Sequence, residues 1–230
     1  MKAPALKSVP LFSDLHESDL ESLAAVASIR RVEQETVILQ AEEEGDTLFV
    51  ILSGRVSVTM GNEDGREVIL SILTAGDFFG EMSLLDGKPR SASVIATEHT
   101  ELLLLRRADF LYCMQRNSNL ATRLVSTLAK RLRRTNRQVE SLALLNAYGR
   151  VAGVLLQLAE DQEEGEGKKE QSTIFERPIL QEIANMVSTT RETVSRILNN
   201  LEKRGYIKRD GRRLTILDLG RLEDDFFFHP

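Results

Sequence analysis

Between residues 32 and 107 the hydrophobic positions fall in short, evenly spaced segments: VILQ, TLFVILSG, RVSVTM, EVILSIL, SASVIAT and TELLLLR. In one of them Val56, Val58 and Met60 alternate with Arg55, Ser57 and Thr59, the period of a half-buried strand. Gly45-Asp46, Ser53-Gly54, Asp64-Gly65, Gly76-Asp77 and Asp86-Gly87 punctuate the segments as turns. Many short strands separated this way predict a barrel or jelly roll. Before them, residues 14–30 carry Leu20, Leu23, Ala24 and Ala27 at helical spacing. Asp14 followed three positions later by Glu17 predicts a capping box at the start of that helix.

From Ala108 to about Glu160 the period becomes helical. Val125, Leu128, Leu132, Thr135, Val139 and Leu142 follow one another at steps of three and four, a heptad seam. Arg123, Lys130, Arg131, Arg133, Arg134 and Arg137 fill the other faces. So narrow a seam on a long helix is expected to meet its own copy; the alternative is a core helix packed on the barrel. Thr135 is out of place there, because a hydroxyl at a seam needs a partner. Residues 149–160 form a second helix, and EDQEEGEGKKEQS after them reads as a surface loop.

The last block reads helix, tight turn, helix, hairpin. Ile183, Ala184 and Val187 make one apolar face, and Val194, Ile197, Leu198 and Leu201 the other. Gly205 stops the second helix, and YIKRDGRRLTIL turns back at Asp210-Gly211.

Composition narrows the function classes. The 230 residues are 42% hydrophobic, enough for a real core in one or two domains. No apolar run approaches the ~18 residues of a membrane span, and the N-terminus lacks a signal-peptide pattern. The expectation is a cytoplasmic protein without membrane association. Cys113 alone excludes an internal disulfide and cannot hold an iron–sulfur cluster, and His16, His99 and His229 are too scattered to suggest a metal site. No nucleophile–base pair or metal set is visible, so an enzyme is not expected. Net charge is −5, but residues 177–213 hold nine basic and four acidic residues, +5, which leaves −10 for the rest. A basic C-terminal block on an acidic body points to double-stranded DNA.

Within that block, TTRETVSR carries the chemistry. Thr189 or Thr190 caps the helix, and Arg191, Glu192 and Arg196 lie opposite Val194 and Ile197. Arginine pairs with guanine and glutamate accepts from cytosine's amine. Lys203, Lys208, Arg209, Arg212 and Arg213 are expected on phosphates. A plain solvated face explains adjacent Arg191 and Glu192 poorly, since neighbours in sequence do not pair along a helix. The block resembles the helix–turn–helix of the cyclic-AMP receptor protein / fumarate-nitrate regulator (Crp/Fnr) family in QEIA (residues 181–184), RETVSR (residues 191–196) and the basic wing. The resemblance implies that Arg191, Glu192 and Arg196 read a TGTGA-like half-site, with Gln181, Thr189, Thr190 and Thr193 in the contact set. Ile179 stands where many members have a capping Thr, and Ser188 at a turn position often occupied by glycine.

FGEMSLLDGKPRSASV (residues 79–94) sets one acid, Glu81, and one base, Arg90, on either side of an apolar stretch. They either pair or both face a ligand. The stretch closely resembles the phosphate-binding cassette of cyclic-nucleotide-binding domains, which implies a pocket built from Gly80, Glu81, Met82, Ser83, Arg90, Ser91 and Ala92. A buried phosphate needs a compensating charge and directed donors. Arg90 supplies the charge, Ser91 a hydroxyl and the 91–92 backbone N–H groups, while Gly80 lets the chain approach the sugar. Glu81 accepts from the ribose hydroxyl and orients Arg90. The resemblance further implies that Thr135 and Asn136 touch the base, that cyclic AMP is the effector, and that RNA polymerase is a partner. Thr135 fits an adenine; Asn136 leaves the base open; the alternatives are another cyclic nucleotide, a cyclic dinucleotide or no effector at all, and, of another class, a cyclic-nucleotide regulatory module that does not bind DNA.

The expected fold is α+β: an effector-binding jelly roll (residues 1–116), a homodimerisation helix (117–146) and a winged helix–turn–helix (147–230). The aromatic residues Phe226–Phe228 find no place in it.

Overall fold

The computed structural model describes residues 2–61, 67–162, 172–174, 178–211 and 213–225. The chain runs α1 (Lys2–Lys7), a 3-10 turn (Pro10–Phe12), α2 (Glu17–Val26), β1 (Ser28–Val32), β2 (Val37–Leu39), β3 (Thr47–Ser53), β4 (Arg55–Gly61), β5 (Glu67–Thr74) and β6 (Phe78–Phe79). It continues with α3 (Glu81–Asp86), β7 (Ser93–Ala96), β8 (Thr100–Arg106), α4 (Arg107–Arg116), α5 (Ser118–Leu144) and α6 (Ala147–Gln162). It closes with β9 (Ser172–Ile174), α7 (Leu180–Met186), α8 (Arg191–Lys203), β10 (Ile207–Asp210), β11 (Arg213–Ile216) and α9 (Leu219–Glu223). Contacts divide it into two units, Met1–Arg133 and Arg134–Pro230, with the boundary inside α5.

The first unit is an antiparallel jelly roll of two sheets, ordered β1-β8-β3-β6 and β2-β7-β4-β5. Strands β3 and β8 read as unbroken apolar runs because both their faces are covered. Phe49, Ile51 and Leu102 pack between the sheets with Val56, Leu73 and Phe79. Leu48, Val50, Leu103 and Leu105 turn the other way, onto Leu6, Phe12, Leu20, Phe110, Leu120 and Leu124 of the helices. Complete burial of one such leucine is worth about 2 kcal/mol.

Three local readings are corrected. Residues 14–30 are not one helix: α2 starts at Glu17 after His16, without a side-chain cap, and residues 28–32 are strand β1. Asp14 does not cap it but accepts from Arg123 Nε at 2.6 Å. Strand β4 does not alternate as expected, since Arg55, Ser57 and Thr59 are buried and Met60 is 52% exposed. It is an inner strand, paired to β5 and β7, and both its faces are covered: Val56 is buried as well, while the register shift opposite Val58 and Thr59 places its extra residue, Leu70, on β5. The helical stretch after residue 107 is also broken at Asn117, between α4 and α5.

Helix α5 carries two stripes. Leu120 and Leu124 are buried in the first unit's core, with Leu128 packed against it. Val125, Leu132, Val139 and Leu142 are the exposed stripe, 65%, 61%, 60% and 36% accessible. Leu128, expected in the seam, therefore belongs mainly to the core side.

In the second unit α6 buries Val151, Ala152, Leu155 and Ala159, while α8 buries Val194, Ile197, Leu198 and Leu201. The wing is a three-stranded sheet, β10-β11-β9. The pairing of Ile216 with Ser172 places the last residue of the segment read as loop in strand β9. The tight turn between α7 and α8 holds Ser188 at φ +51, the left-handed region that glycine occupies at no steric cost.

Candidate nucleotide pocket and nucleic-acid interface

The pocket begins where β6 ends. Gly80 adopts φ +82, and a Cβ there would lie 2.7 Å from Arg90 Nη1 and 3.0 Å from the Thr47 carbonyl, so conformation and space both demand glycine. Helix α3 follows and stops at Gly87, φ +71, whose N–H donates to the Ser83 carbonyl. The chain then returns through Pro89 to Arg90, whose N–H donates to the Glu43 carbonyl at 2.8 Å and whose carbonyl accepts from Glu42 N–H at 2.9 Å. Ser93 Oγ accepts from Ala41 N–H at 3.0 Å. The cassette is thus tied to the loop before β3.

Arg90 is 4% exposed. Its Nη1 donates to the Gly80 carbonyl at 2.8 Å and its Nη2 to the Thr47 carbonyl at 3.0 Å, while Nε is buried without a partner. Burial pulls its pKa below the ordinary guanidinium value, opposed by the charges of Asp46 and Glu81. A buried cation held on carbonyl dipoles, with a donor to spare, is a receptor for an anion. Gly45 completes the cradle: a Cβ there would fall 2.2 Å from Arg90 Nε. Phe49 lies 6.0 Å from the guanidinium and stacks on Phe79 at 5.1 Å.

Glu81 does not pair with Arg90. Its side chain, 5% exposed, accepts from Arg131 Nη1 at 2.9 Å. Arg131 Nη2 donates to the Phe78 carbonyl at 2.5 Å, and its guanidinium covers the Phe78 ring at 4.7 Å. Gly80, Glu81 and Arg90 are therefore brought together, and Ser83 and Ala92 are buried beside them in sequence. Ser91 is exposed, its hydroxyl 3.4 Å from the sulfur of exposed Met82. Thr135 and Asn136 are exposed on α5, in the second unit. Sequence reasoning missed Gly45 and Arg131. Arg131 had a signal: it continues the core stripe Leu120, Leu124, Leu128 at the next helical step.

On the second unit the start of α8 is capped by Thr190, whose Oγ1 accepts from Thr193 N–H at 3.2 Å. Thr189 is half-buried, and its N–H donates to the Ala184 carbonyl at 3.0 Å. Arg191, Glu192 and Arg196 are all exposed. With Lys203, Tyr148 and Leu180 they line an open concavity of about 700 Å³. Gln181, at the exposed side of α7, donates to Asn185 at 2.8 Å. Lys203, Lys208 and Arg213 are exposed, and Arg212 lies outside the described residues.

Arg209, expected on phosphate, is engaged by side chains of α8. Its Nε and Nη2 donate to Glu202 Oε2 at 3.0 and 2.6 Å, its Nη2 to Asn199 Oδ1 at 2.6 Å, and its backbone N–H to Glu202 Oε1 at 2.9 Å.

Residues 29–117 match the cyclic nucleotide-binding domain, and residues 149–225 the Crp-like helix-turn-helix domain. The chain is 35% identical over 198 residues to the cAMP-activated global transcriptional regulator CRP of Pasteurella multocida, covering 86% of this chain and 93% of that protein. It is 33% identical over 226 residues to the cyclic AMP receptor protein of Thermus thermophilus, covering 96% and 99%. Among solved structures, the c-di-GMP responsive global regulator CLP of Xanthomonas campestris superposes with a TM-score of 0.67 at 25% identity, over 87% of this chain and 99% of that one. A nucleotide-binding jelly roll followed by a winged helix–turn–helix defines a cyclic-nucleotide-responsive, DNA-binding transcription regulator. The chain belongs to the Crp/Fnr family of transcriptional regulators. No helix among the described residues is long and apolar enough to cross a membrane.

Proposed function

We propose that cyclic AMP is the effector and that it controls binding of a homodimer to a palindromic TGTGA-like operator. The observation that carries the effector reading is the spare donor of Arg90: a guanidinium 4% exposed, with Nε unpartnered, in a cradle two glycines keep open. A cyclic phosphodiester carries one negative charge and acceptor oxygens, which complement that group. Gly80, Glu81, Met82, Ser83, Ser91 and Ala92 are assigned to the phosphate and ribose, and Thr135 and Asn136 to the base. The relatives named for cyclic AMP support this choice over other cyclic nucleotides.

The exposed stripe of Val125, Leu132, Val139 and Leu142 supplies the dimer contact. Two copies of α8 then face half-sites one helical turn, ~34 Å, apart. Arg191, Glu192 and Arg196 read bases; Lys203, Lys208 and Arg213 position the protein on phosphates. RNA polymerase is the further partner by family membership. The effector acts by binding the DNA-competent state better than the other.

Calorimetric titration with cyclic AMP, cyclic GMP and cyclic di-GMP tests the effector. Micromolar binding of cyclic AMP, with weak binding of the other two, is the expected result. Tight binding of cyclic di-GMP instead would transfer the pocket to the chemistry named for the Xanthomonas regulator, and no binding of any would remove the effector reading while leaving the DNA-binding half to be tested on duplexes.

A further inference from the structure

Glu202 occupies the last turn of α8, where a negative charge opposes the helix dipole. Its carboxylate is nevertheless fully employed, taking three hydrogen bonds from one residue of the wing: the backbone N–H, Nε and Nη2 of Arg209. Asn199, one turn earlier, takes a fourth through its Oδ1. Asn199 follows Arg196 by three positions and precedes Lys203 by four, so it lies on the same side of α8 as both, and all three line the open concavity beside the base-reading residues. The Arg209 guanidinium therefore lies against the DNA-facing side of the domain while its charge is already neutralised by Glu202.

We propose that Glu202 withholds Arg209 from the DNA backbone and so sets the number of phosphates the domain neutralises. This rests on the DNA-binding reading above. Phosphate contacts carry affinity but no sequence information. A cation kept on an internal carboxylate at this position lowers sequence-independent affinity and leaves the contribution of Arg191, Glu192 and Arg196 intact. Glu202 and Arg209 are positioning residues, acting through the charge they cancel.

The test is the salt dependence of DNA binding by the full chain, read by fluorescence anisotropy on a duplex with a TGTGA-like palindrome and on an unrelated duplex, with cyclic AMP present. Each phosphate neutralised contributes about 0.9 to the slope of log K against log salt. Wild type and R209Q share one slope, because Arg209 is not on phosphate. E202A steepens it by about 0.9 for each domain engaged. The double variant E202A/R209Q returns to the wild-type slope, which separates release of Arg209 from a general loss of acidic charge. A shallower slope for R209Q alone, an unchanged slope for E202A, or a double variant as steep as E202A would each overturn the inference with DNA binding intact. Absence of salt-dependent binding by wild type would overturn both readings, which distinguishes the two failures.

Discussion

Arg131 and Glu81 form an ion pair at 2.9 Å that ties the long helix α5 to the first turn of α3. The arginine is 29% exposed and the glutamate 5%. A buried carboxylate left without its cation is costly, whatever the net worth of the intact pair. Arg131→Ala is expected to destabilise the first unit by about 2 kcal/mol, below the ~3–5 kcal/mol of a fully buried pair because water reaches the arginine. Adding Glu81→Gln should recover part of that loss in denaturant titrations. If the double variant is no more stable than Arg131→Ala, the carboxylate is not what the arginine compensates.

Gly45→Ala tests the cradle from its far side. The new methyl would lie 2.2–2.4 Å from three atoms of the Arg90 guanidinium, a distance no packing tolerates. The arginine must move off its carbonyl partners, and hydrogen bonds to a charged group are worth ~1.5–3 kcal/mol each. Cyclic AMP affinity should fall by at least about tenfold, with DNA binding in the absence of nucleotide unchanged. Wild-type affinity in this variant would show that Arg90 does not need its present seat. Arg90→Leu, which removes the charge itself, is expected to abolish the nucleotide response.

The order of strands, long helix and helix–turn–helix was legible because each has its own period, and Gly80, Glu81 and Arg90 because the cassette is a local motif. Three features were not, for three physical reasons. The alternation in β4 failed because the strand is paired on both sides, to β5 and β7, and its polar face is buried along with its apolar one. Arg131 pairs with Glu81 across fifty residues, a contact that only the tertiary fold creates. The hold of Glu202 on Arg209 was not legible because the carboxylate sits seven positions earlier on a different element. The Thr190 cap and the Asp210–Gly211 hairpin turn are short-range geometry, and the sequence contained everything they require.

Ser188 holds φ +51 in the turn between α7 and α8. A left-handed conformation costs a residue with a Cβ roughly 1 kcal/mol, and glycine escapes most of it. Ser188→Gly should therefore stabilise the second unit by about 0.5–1 kcal/mol, offset in part by the greater freedom of glycine in the unfolded chain. Thermal unfolding of the full chain would register a higher transition for that unit. A lower transition would mean that the serine side chain contributes more than its backbone strain.

Leu132 and Val139 are 61% and 60% exposed on a helix whose buried residues are Leu120 and Leu124. An apolar stripe of this length is expected to be covered by a second copy. Leu132→Asp would place a charge in that contact and should convert a dimer to a monomer at micromolar concentration in sedimentation equilibrium. DNA affinity should drop with it, since each half-site would be bound alone. An unchanged mass for both proteins would remove the seam from the dimer contact.

Glu202 gives the second unit an acid-sensitive element. The Arg209 side chain, and then its backbone N–H, hold the carboxyl below its usual value of 4.5 against the opposing effect of burial. A carboxyl with a depressed folded pKa binds fewer protons in the native state than in the unfolded state, so stability rises with pH across the interval between the two values. The contribution is complete above about pH 4.5 and is lost as the pH falls through the depressed folded value. The pair is partly exposed, 22% and 35%, so solvent screening keeps it within about 1 kcal/mol. The stability difference between wild type and Glu202→Gln, measured by denaturant titration, should be largest near neutral pH and shrink below about pH 4.5. A difference that stays constant down to pH 3 would mean that the carboxylate charge is not what Arg209 responds to, and the pair would reduce to neutral hydrogen bonding.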